Sequence, residues 1–244
     1  MKKRSKTSTL LDLLVTLYPE TPRERLFSRV LCGDVLVDGS VLRDPKVGVT
    51  SDVEVVLSSK RFVSRGGFKL DPVLEVWNIP VSGKIFLDAG CSTGGFTDAL
   101  LQRGAALVHA VDVGSGQLDW KLRADPRVIV KEGTNVMALG ALDPVPHAAV
   151  ADLSFRSLRG AAFQILSLTS EGWMVALIKP QFEWLEPPEA FQGVVPDDRL
   201  EEILDQLSHD LLGEGVVMTN REPSQVRGRK GNQEFLARLT LRER

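Results

Sequence analysis

The sequence is poor in the residues that build disulfide frameworks and metal clusters. Its 244 residues include two cysteines, Cys32 and Cys91, and three histidines. Two cysteines cannot form a disulfide framework or a four-ligand zinc site, and so few histidines do not suggest a metal cluster. We therefore expect no metal ion and a reducing compartment.

Long apolar runs are absent too. No stretch of the chain reaches the ~18 apolar residues of a membrane-spanning helix. Residues 1–20 begin with a basic run, as signal peptides do, but their apolar part is short, is broken by Asp12 and lacks a small-residue cleavage site. These features disfavour secretion and membrane insertion, and we predict a cytoplasmic protein.

The formal net charge of −2 provides no attraction of the whole molecule to nucleic acid. Such a role would depend on local basic patches. The apolar fraction of 43% and the charged fraction of 25% are typical of a globular protein. The length permits one large domain with a small companion.

Residues 1–60 predict a small α+β unit. The leucines from Leu10 to Leu17 form one wide apolar helix face, and a Thr-Pro start signal and Gly33 bound a second helix. Apolar and polar residues then alternate on both sides of Asp38-Gly39, which is the strongest short hairpin signal, and another alternating strand follows. A unit of this size has little room for chemistry, so binding is its expected task.

From Ile85 onward, strands alternate with helices. The predicted elements are the strand KIFLDAG, a helix to Arg103, the strands LVHAVDV, RVIVKEG and HAAVADLS, a helix from Leu158 to Leu168, the strand WMVALIKP, a helix from Asp197 to Leu212, the strand GVVMTN and a final strand near Glu234 to Leu241. This order predicts an α/β, Rossmann-like sheet with helices on both faces and ligands at the carboxyl ends of the strands. We divide the chain into residues 1–60, a basic linker with a lead-in helix at 61–84, and the sheet domain at 85–244.

The stretch FLDAGCSTGGF forms a glycine loop between a strand that ends at Asp88 and a helix. The dinucleotide-binding fingerprint needs glycine where this chain has Ser92, so a pyrophosphate would meet a side chain at its closest approach. A nucleoside ligand without phosphates fits better, and S-adenosylmethionine is the commonest of these. Asp112 ends the next strand, at the place where an acid binds ribose hydroxyls. The alternative is a glycine turn that only packs a helix on the sheet.

Four charged residues are predicted to meet at the ligand edge of this sheet. Asp152 and Lys179 end consecutive strands. Lys69 lies in a helix-like segment before the first strand, and Glu234 reaches the same edge if the final strand runs antiparallel. Such a set suits methylation of a ribose hydroxyl, whose oxygen must be held in line with the methyl group and lose its proton. Lys179 is the predicted proton acceptor or steering group, although each residue taken singly could simply face water.

Six ordered sequence blocks resemble one family. The blocks are FVSRGGFKL (62–70), LDAGCSTGGFTD (87–98), AVDVGSGQL (110–118), ADLSFRSL (151–158), LIKPQFE (177–183) and GRKGNQEFL (228–236). They resemble the TlyA family, haemolysin-named proteins related to the FtsJ-type ribosomal RNA 2′-O-methyltransferases, and residues 1–60 resemble an S-four-like RNA-binding domain. The resemblance implies ribose 2′-O-methylation of cytidine in ribosomal RNA or ribosomal subunits, with S-adenosylmethionine as donor. The family's Lys-Asp-Lys-Glu set falls on Lys69, Asp152, Lys179 and Glu234.

The loop pattern and the resemblance together give candidate binding residues. The predicted cofactor contacts are Asp88, Gly90, Ser92, Gly94, Gly95, Phe96, Thr97, Asp112, Glu132, Thr134 and Asn135. The predicted RNA contacts are Lys2, Lys3, Arg4, Lys6, Arg23, Arg25, Arg29, Arg65, Arg229 and Lys230. The residues from 132 to 135 could instead form only a loop and a helix cap, and the basic residues could be solvated faces. The small domain departs from its family's pattern, with Thr9-Leu10-Leu11 in place of Arg-Leu-Asp and Pro22-Arg23 in place of Ser-Arg.

Three other functions remain open from the sequence. A membrane-lytic protein matches the haemolysin label, but the chain lacks a long, strongly amphipathic helix. A non-catalytic RNA-binding assembly factor would have no need of the four charged residues. A nicotinamide dehydrogenase would require glycine at the position of Ser92.

Overall fold

The computed structural model describes residues 7–57, 61–154 and 156–242, without the side chains of Ser28 and Cys32. The N-terminal part contains β1 (Thr7–Thr9), α1 (Leu10–Leu17), α2 (Arg23–Cys32), β2 (Val35–Val37), β3 (Ser40–Leu42), β4 (Gly48–Thr50) and β5 (Val55–Leu57). β2 pairs antiparallel with β3 and β5, and β1 pairs with β4. The predicted hairpin is confirmed, because Asp38 and Gly39 both take positive φ values, 47° and 76°, as a tight hairpin turn requires. These elements enclose an apolar cluster of their own.

The larger part of the chain forms an α/β sheet. Its elements are α3 (Arg65–Val76), β6 (Ile85–Ala89), α4 (Gly95–Gln102), β7 (Leu107–Val111), α5 (Trp120–Arg123), β8 (Val128–Lys131), β9 (Ala148–Ala151), α6 (Ala161–Ser167), β10 (Trp173–Ile178), α7 (Pro180–Glu183), α8 (Leu200–Gly213), β11 (Val216–Pro223) and β12 (Phe235–Leu241). The seven strands follow the order β11-β12-β10-β9-β6-β7-β8. The predicted fold class is confirmed: five strands are parallel, and β12 runs antiparallel to both neighbours.

The burial of the central strands agrees with a sheet that is covered on both faces. Every residue of β9 and β10 is buried, as expected for central strands covered on both faces. Two apolar clusters lie on the two faces, one including α6 and α8 and the other including α3 and α4. None of the described helices is long and apolar enough to cross a membrane.

The predicted helix from Leu158 to Leu168 begins later than expected. Gly160 has a left-handed φ of 68°, and helix α6 starts only at Ala161. A left-handed residue cannot continue an α-helix, so Leu158 and Arg159 stay outside α6. The backbone N–H of Leu158 donates to the carboxylate of Glu183, at 2.9 Å.

Two contacts position α3 and the N-terminal elements against the sheet. A Cβ on Gly95 would lie 2.9 Å from both the Cα of Gly66 and the N of Gly67, so α3 and α4 touch through bare backbone. On the other side, the guanidinium of Arg25 in α2 lies 5.3 Å from the ring centroid of Trp120 in α5. Helix α5 packs against the glycine loop that precedes α4. The N-terminal elements therefore contact a helix that borders this loop.

Candidate active site

The loop after β6 has the backbone that its glycines and serine predict. Gly90, Ser92 and Gly94 all have positive φ values, of 86°, 47° and 93°. The N–H of Gly90 donates to the carbonyl of Val111, and the N–H of Ser92 donates to the carboxylate of Asp112, each at a distance of 2.8 Å. These N–H groups are therefore not available to a phosphate, which binds where several backbone donors are free.

Carboxylates dominate the charge around this loop. Burial raises the pKa of Asp88, and the negative charges of Asp152 and Asp112 raise it further. Burial raises the pKa of the Cys91 thiol, and Asp88, Asp112 and Glu132 raise it further. This negative potential disfavours an anionic ligand and favours a cationic one. S-adenosylmethionine, which carries a sulfonium and an ammonium group, fits this loop better than a dinucleotide does.

Asp88 lies beneath the loop at the end of β6. It is fully buried, and burial raises the pKa of its carboxyl to about 7. The hydroxyl of Thr97 in α4 donates to Asp88 Oδ2 at a distance of 2.6 Å, whereas Asp88 Oδ1 has no hydrogen-bond partner among the described residues. A buried oxygen without a partner at this place is a candidate acceptor for a cationic ligand group.

The other predicted cofactor residues surround the same loop. Asp112 accepts from the N–H of Ser92 and of Gly114, the latter at 2.7 Å, and its oxygens keep lone pairs for a ribose. Glu132 accepts from three backbone N–H groups of residues 116–118 and pairs with Arg123 at 2.7 Å. Burial alone would raise the pKa of Glu132, but these partners outweigh it and lower the pKa to about 2.

Residues 134 and 135 hold the turn that follows β8. The backbone N–H of Thr134 donates to the carbonyl of Asp112 over 2.8 Å. Asn135 accepts from the N–H of Met137 at 3.0 Å and so caps a short 3-10 turn. The capping role that the sequence left open for Asn135 is therefore present, and its adenine contact stays a prediction. Phe96 and Gly95 open helix α4, directly after the loop.

The four charged residues form two ion pairs. Lys179 Nζ lies 2.7 Å from Asp152 Oδ1, and Lys69 Nζ lies 2.5 Å from Glu234 Oε2. Both lysine side chains are nearly buried, at 11% and 10% exposure. A Cβ on Gly90 would lie 2.6 Å from the carbonyl oxygen of Asp152, so the glycine loop touches the first pair.

Strand register brings the two pairs to the same edge. Ile178 in β10 is opposite Phe235 in β12, so the next pair along the ladder is Lys179 and Glu234. Because β12 is antiparallel, its first residues lie where β10 ends. The predicted convergence depends on this antiparallel strand.

The structure adds residues that the sequence did not single out. Ser154 Oγ accepts a hydrogen bond from Lys179 Nζ at 3.0 Å. Glu183, which is 3% exposed, binds residues 157–159 through its carboxylate, including Arg159 Nη1 at 3.0 Å. Both lie within quoted sequence blocks, at the exits of β9 and β10, and strand-exit position was the one signal that could have indicated them.

The predicted RNA contacts lie in several places. Lys2, Lys3, Arg4 and Lys6 are outside the described residues. Arg23 pairs with Asp12 at 2.9 Å, Arg25 stacks on Trp120 and Arg29 lies in the last turn of α2. Arg65, at the start of α3, donates to the carbonyl of Arg227, which holds the turn with the exposed Arg229 and Lys230 beside α3. Among the described residues, no group of three or more His, Cys, Asp or Glu side chains could hold a metal ion.

Comparison with known proteins identifies the class of enzyme. Residues 62–240 match the FtsJ-like methyltransferase family, to which the chain therefore belongs. The 16S/23S rRNA (cytidine-2′-O)-methyltransferase TlyA of Mycobacterium tuberculosis is 44% identical over 184 residues, which cover 73% of this chain and 69% of that protein. Hemolysin A of Brachyspira hyodysenteriae is 39% identical over 219 residues, which cover 87% of this chain and 91% of that protein. The chain is a member of the TlyA family, and the predicted family and enzyme class are confirmed.

Solved structures agree with this assignment. A hemolysin-named protein from Streptococcus thermophilus has a TM-score of 0.73 at 34% identity, covering 97% of this chain and 89% of that one. One from Lactococcus lactis has a TM-score of 0.68 at 36% identity, covering 74% and 88%. An S-adenosylmethionine-dependent methyltransferase structure from Listeria monocytogenes, at 15% identity and a TM-score of 0.51, shares the fold.

Proposed function

We propose that this protein transfers a methyl group from S-adenosylmethionine to the ribose 2′-oxygen of a cytidine in ribosomal RNA, either free or in a ribosomal subunit. The observation that carries the proposal is the double ion pair, Lys179–Asp152 and Lys69–Glu234, beside a glycine loop surrounded by carboxylates. The substrate class is supported by relatives whose names specify cytidine-2′-O-methylation of rRNA. Since ribosomes are cytoplasmic, the proposal includes a cytoplasmic protein.

The cofactor would lie against the loop from Gly90 to Gly94, with Asp112 accepting from its ribose hydroxyls. Bound there, S-adenosylmethionine supplies a methyl group that its sulfonium centre has already activated. As an uncharged amine, Lys179 Nζ would accept the proton of the 2′-hydroxyl; as an ammonium group, it would orient the hydroxyl oxygen towards the methyl group, with the proton leaving to solvent. Asp152 holds Nζ in place from 2.7 Å.

The site is neutral when both lysines are charged. Two ammonium groups then face two carboxylates, so RNA that covers the site leaves no unpaired charge in a dry environment. Lys69 and Glu234 also tie α3 to β12, which flank the place where the ribose would enter. Their proposed role is to position the hydroxyl and to set the local potential.

RNA binding completes the proposal. Arg65 binds the turn that carries Arg229 and Lys230, and a Cβ on Gly228 in that turn would lie 2.6 Å from Glu234 Oε1. These basic residues would contact phosphates, which position RNA without reading its sequence. We propose residues 1–60 as an RNA-binding domain, 61–84 as the linker with its helix, and 85–244 as the methyltransferase domain.

Methyl transfer from labelled S-adenosylmethionine to ribosomal RNA and to isolated subunits tests the proposal, with ribose-methylation mapping of the product. We expect transfer by the wild type and a loss of about 100-fold or more in Lys179→Ala. Lys84→Ala is the matched control, since Lys84 precedes β6 at the opposite end of the sheet and pairs there with Glu171.

No transfer to any ribosomal RNA or subunit would refute the proposal. Lysis of erythrocytes that persists in Lys179→Ala and without cofactor would favour the membrane-lytic alternative. Tighter binding of NAD than of S-adenosylmethionine would favour a dehydrogenase.

A further inference from the structure

Ser154 lies in the loop that leaves β9, two residues after Asp152. Its Oγ is 3.0 Å from Lys179 Nζ, and the other partner of that nitrogen is Asp152 Oδ1 at 2.7 Å. Among the described residues, Ser154 Oγ is the acceptor that meets hydrogen-bond geometry, whereas Asp152 Oδ1 pairs with Nζ by charge alone. The nitrogen is thus held by two oxygens that come from one loop.

We propose that Ser154 is a positioning residue that, beside Asp152, directs the free bonding directions of Lys179 Nζ at the substrate hydroxyl. A lysine nitrogen is tetrahedral: Cε occupies one direction and the hydrogen bond to Ser154 Oγ occupies a second. Asp152 Oδ1 attracts the nitrogen by charge from 2.7 Å, without the geometry of a hydrogen bond. In an uncharged amine one of the free directions holds the lone pair that accepts the proton. In an ammonium group it holds the N–H that steers the hydroxyl oxygen. The inference rests on the proposed function.

The ion pair with Asp152 would not give this orientation by itself. Because it lacks hydrogen-bond geometry, Nζ could rotate about the Cε–Nζ bond, and its free directions would sweep a cone. The hydrogen bond to Ser154 removes that rotation. Methyl transfer requires reacting atoms that are aligned before the reaction, so removing the rotation raises the fraction of bound substrate that is ready to react.

The loop that carries Ser154 is itself fastened to the segment that carries Lys179. Helix α7 begins directly after Lys179, and its last residue, Glu183, accepts from the hydroxyl of Ser157 at 2.5 Å and from the N–H of Leu158 at 2.9 Å. Both ends of the Ser154–Lys179 hydrogen bond therefore belong to segments joined by a buried carboxylate. Such support is what keeps a positioning contact at a fixed distance.

The test compares Ser154→Ala with Ser154→Thr, which keeps a hydroxyl. Ser167→Ala is the matched control, because Ser167 is an exposed serine on α6 whose Oγ donates to the carbonyl of Gln164 in the same helix. For Ser154→Ala we expect kcat to fall by about 10-fold, the loss of one hydrogen bond to a charged group. KM for RNA and Kd for S-adenosylmethionine should stay within about 2-fold of wild type. Ser154→Thr should recover most of kcat, and the control should match the wild type.

A crystal structure of Ser154→Ala gives a readout apart from activity. We expect Lys179 Nζ to occupy more than one position, or to move away from its present distance to Asp152, with an unchanged melting temperature. If the wild type methylates no ribosomal RNA, the proposed function fails and the inference fails with it. If the wild type is active and Ser154→Ala keeps full kcat, only the inference fails. A rise in KM for RNA at constant kcat, or no recovery by threonine, would also overturn it.

Discussion

The acidic residues around the glycine loop differ in role because their surroundings differ. Asp88 is fully buried, Asp112 accepts backbone N–H groups, and Glu132 organises the turn at residues 116–118. In the sequence, each is simply an acid near a strand end. Strand-end position was enough to predict Lys179 and Asp152, whereas the partners of each carboxylate depend on loop contacts that no local pattern encodes.

The buried carboxyl of Asp88 makes stability depend on pH. Its pKa is about 7 in the folded protein and about 3.9 in an unfolded chain. The folded state binds this proton more tightly, so the free energy of unfolding falls as pH rises from about 4 to about 7 and is then constant. Asp88→Asn removes this dependence. The variant should be more stable than the wild type at pH 8, by up to about 4 kcal/mol, and similar at pH 4.

Thermal unfolding of both proteins between pH 4 and 8, without ligand, measures this effect. Asp197→Asn is a suitable control, because Asp197 is exposed at the turn before α8. A difference in melting temperature that does not widen with pH would contradict the assignment of a buried, protonated Asp88.

Glu183 gives a second prediction at this scale. Burial raises the pKa of its carboxyl, although Ser157, the N–H of Leu158 and Arg159 all favour the charged form. Glu183→Gln keeps the shape and weakens the bonds to all three, so we expect a loss of about 1–3 kcal/mol in the free energy of unfolding. Denaturant titration measures it. The loss of stability should be accompanied by a fall in kcat that is larger than the change in cofactor affinity. An unchanged kcat would argue that the bonds of Glu183 to residues 157–159 do not position the site.

At the scale of elements, the sequence predicted the long periodic segments. It did not predict the shortest strands or the exact start of helix α6. The helices and strands of the large sheet follow from their periodicity, but the three-residue strands β1 and β4 are too short to show a pattern. Helix α6 starts late because Gly160 is left-handed. Glycine adopts helical and left-handed backbone with similar ease, so the apolar pattern around it does not determine where the helix begins.

The contact between α3 and α4 leads to a prediction about packing. In Gly95→Ala, the new methyl group would meet backbone atoms of Gly66 and Gly67 at 2.9 Å, so α3 must move and carry Lys69 with it. We expect a stability loss of about 1–3 kcal/mol and a lower kcat. Gly140→Ala is the control, because its Cβ would meet nothing within 4 Å. Equal melting temperatures and rates for the two variants would contradict a tight contact.

At the scale of the whole molecule, the chain is nearly neutral, but some of its basic residues are grouped in one place. The net charge is −2, yet Arg65 binds the turn that carries Arg229 and Lys230, and Gly228 of that turn packs against Glu234. The composition excluded attraction of the whole molecule to nucleic acid but could not show this grouping, which depends on the contact of Arg65 with the turn before β12.

Salt dependence tests the local character of RNA binding. Affinity for ribosomal RNA should fall as salt rises, and replacing both Arg229 and Lys230 by alanine should reduce the slope of log affinity against log salt by about 1–2. Arg199→Ala is the control, as Arg199 forms an exposed pair with Glu202 near α8. Binding of S-adenosylmethionine should change little in either variant, and an unchanged slope in the double variant would remove these residues from the interface.

The pairing of Lys69 with Glu234 joins residues that are 165 positions apart in the chain. Strand β12, which follows Glu234, also fills the gap between β10 and β11. A nascent or truncated chain that stops before β12 would hold every residue of the glycine loop, but one lysine would lack its acid and β10 would lack a neighbour. Such incomplete chains are thus expected not to methylate RNA, so methylation begins only once synthesis has passed β12.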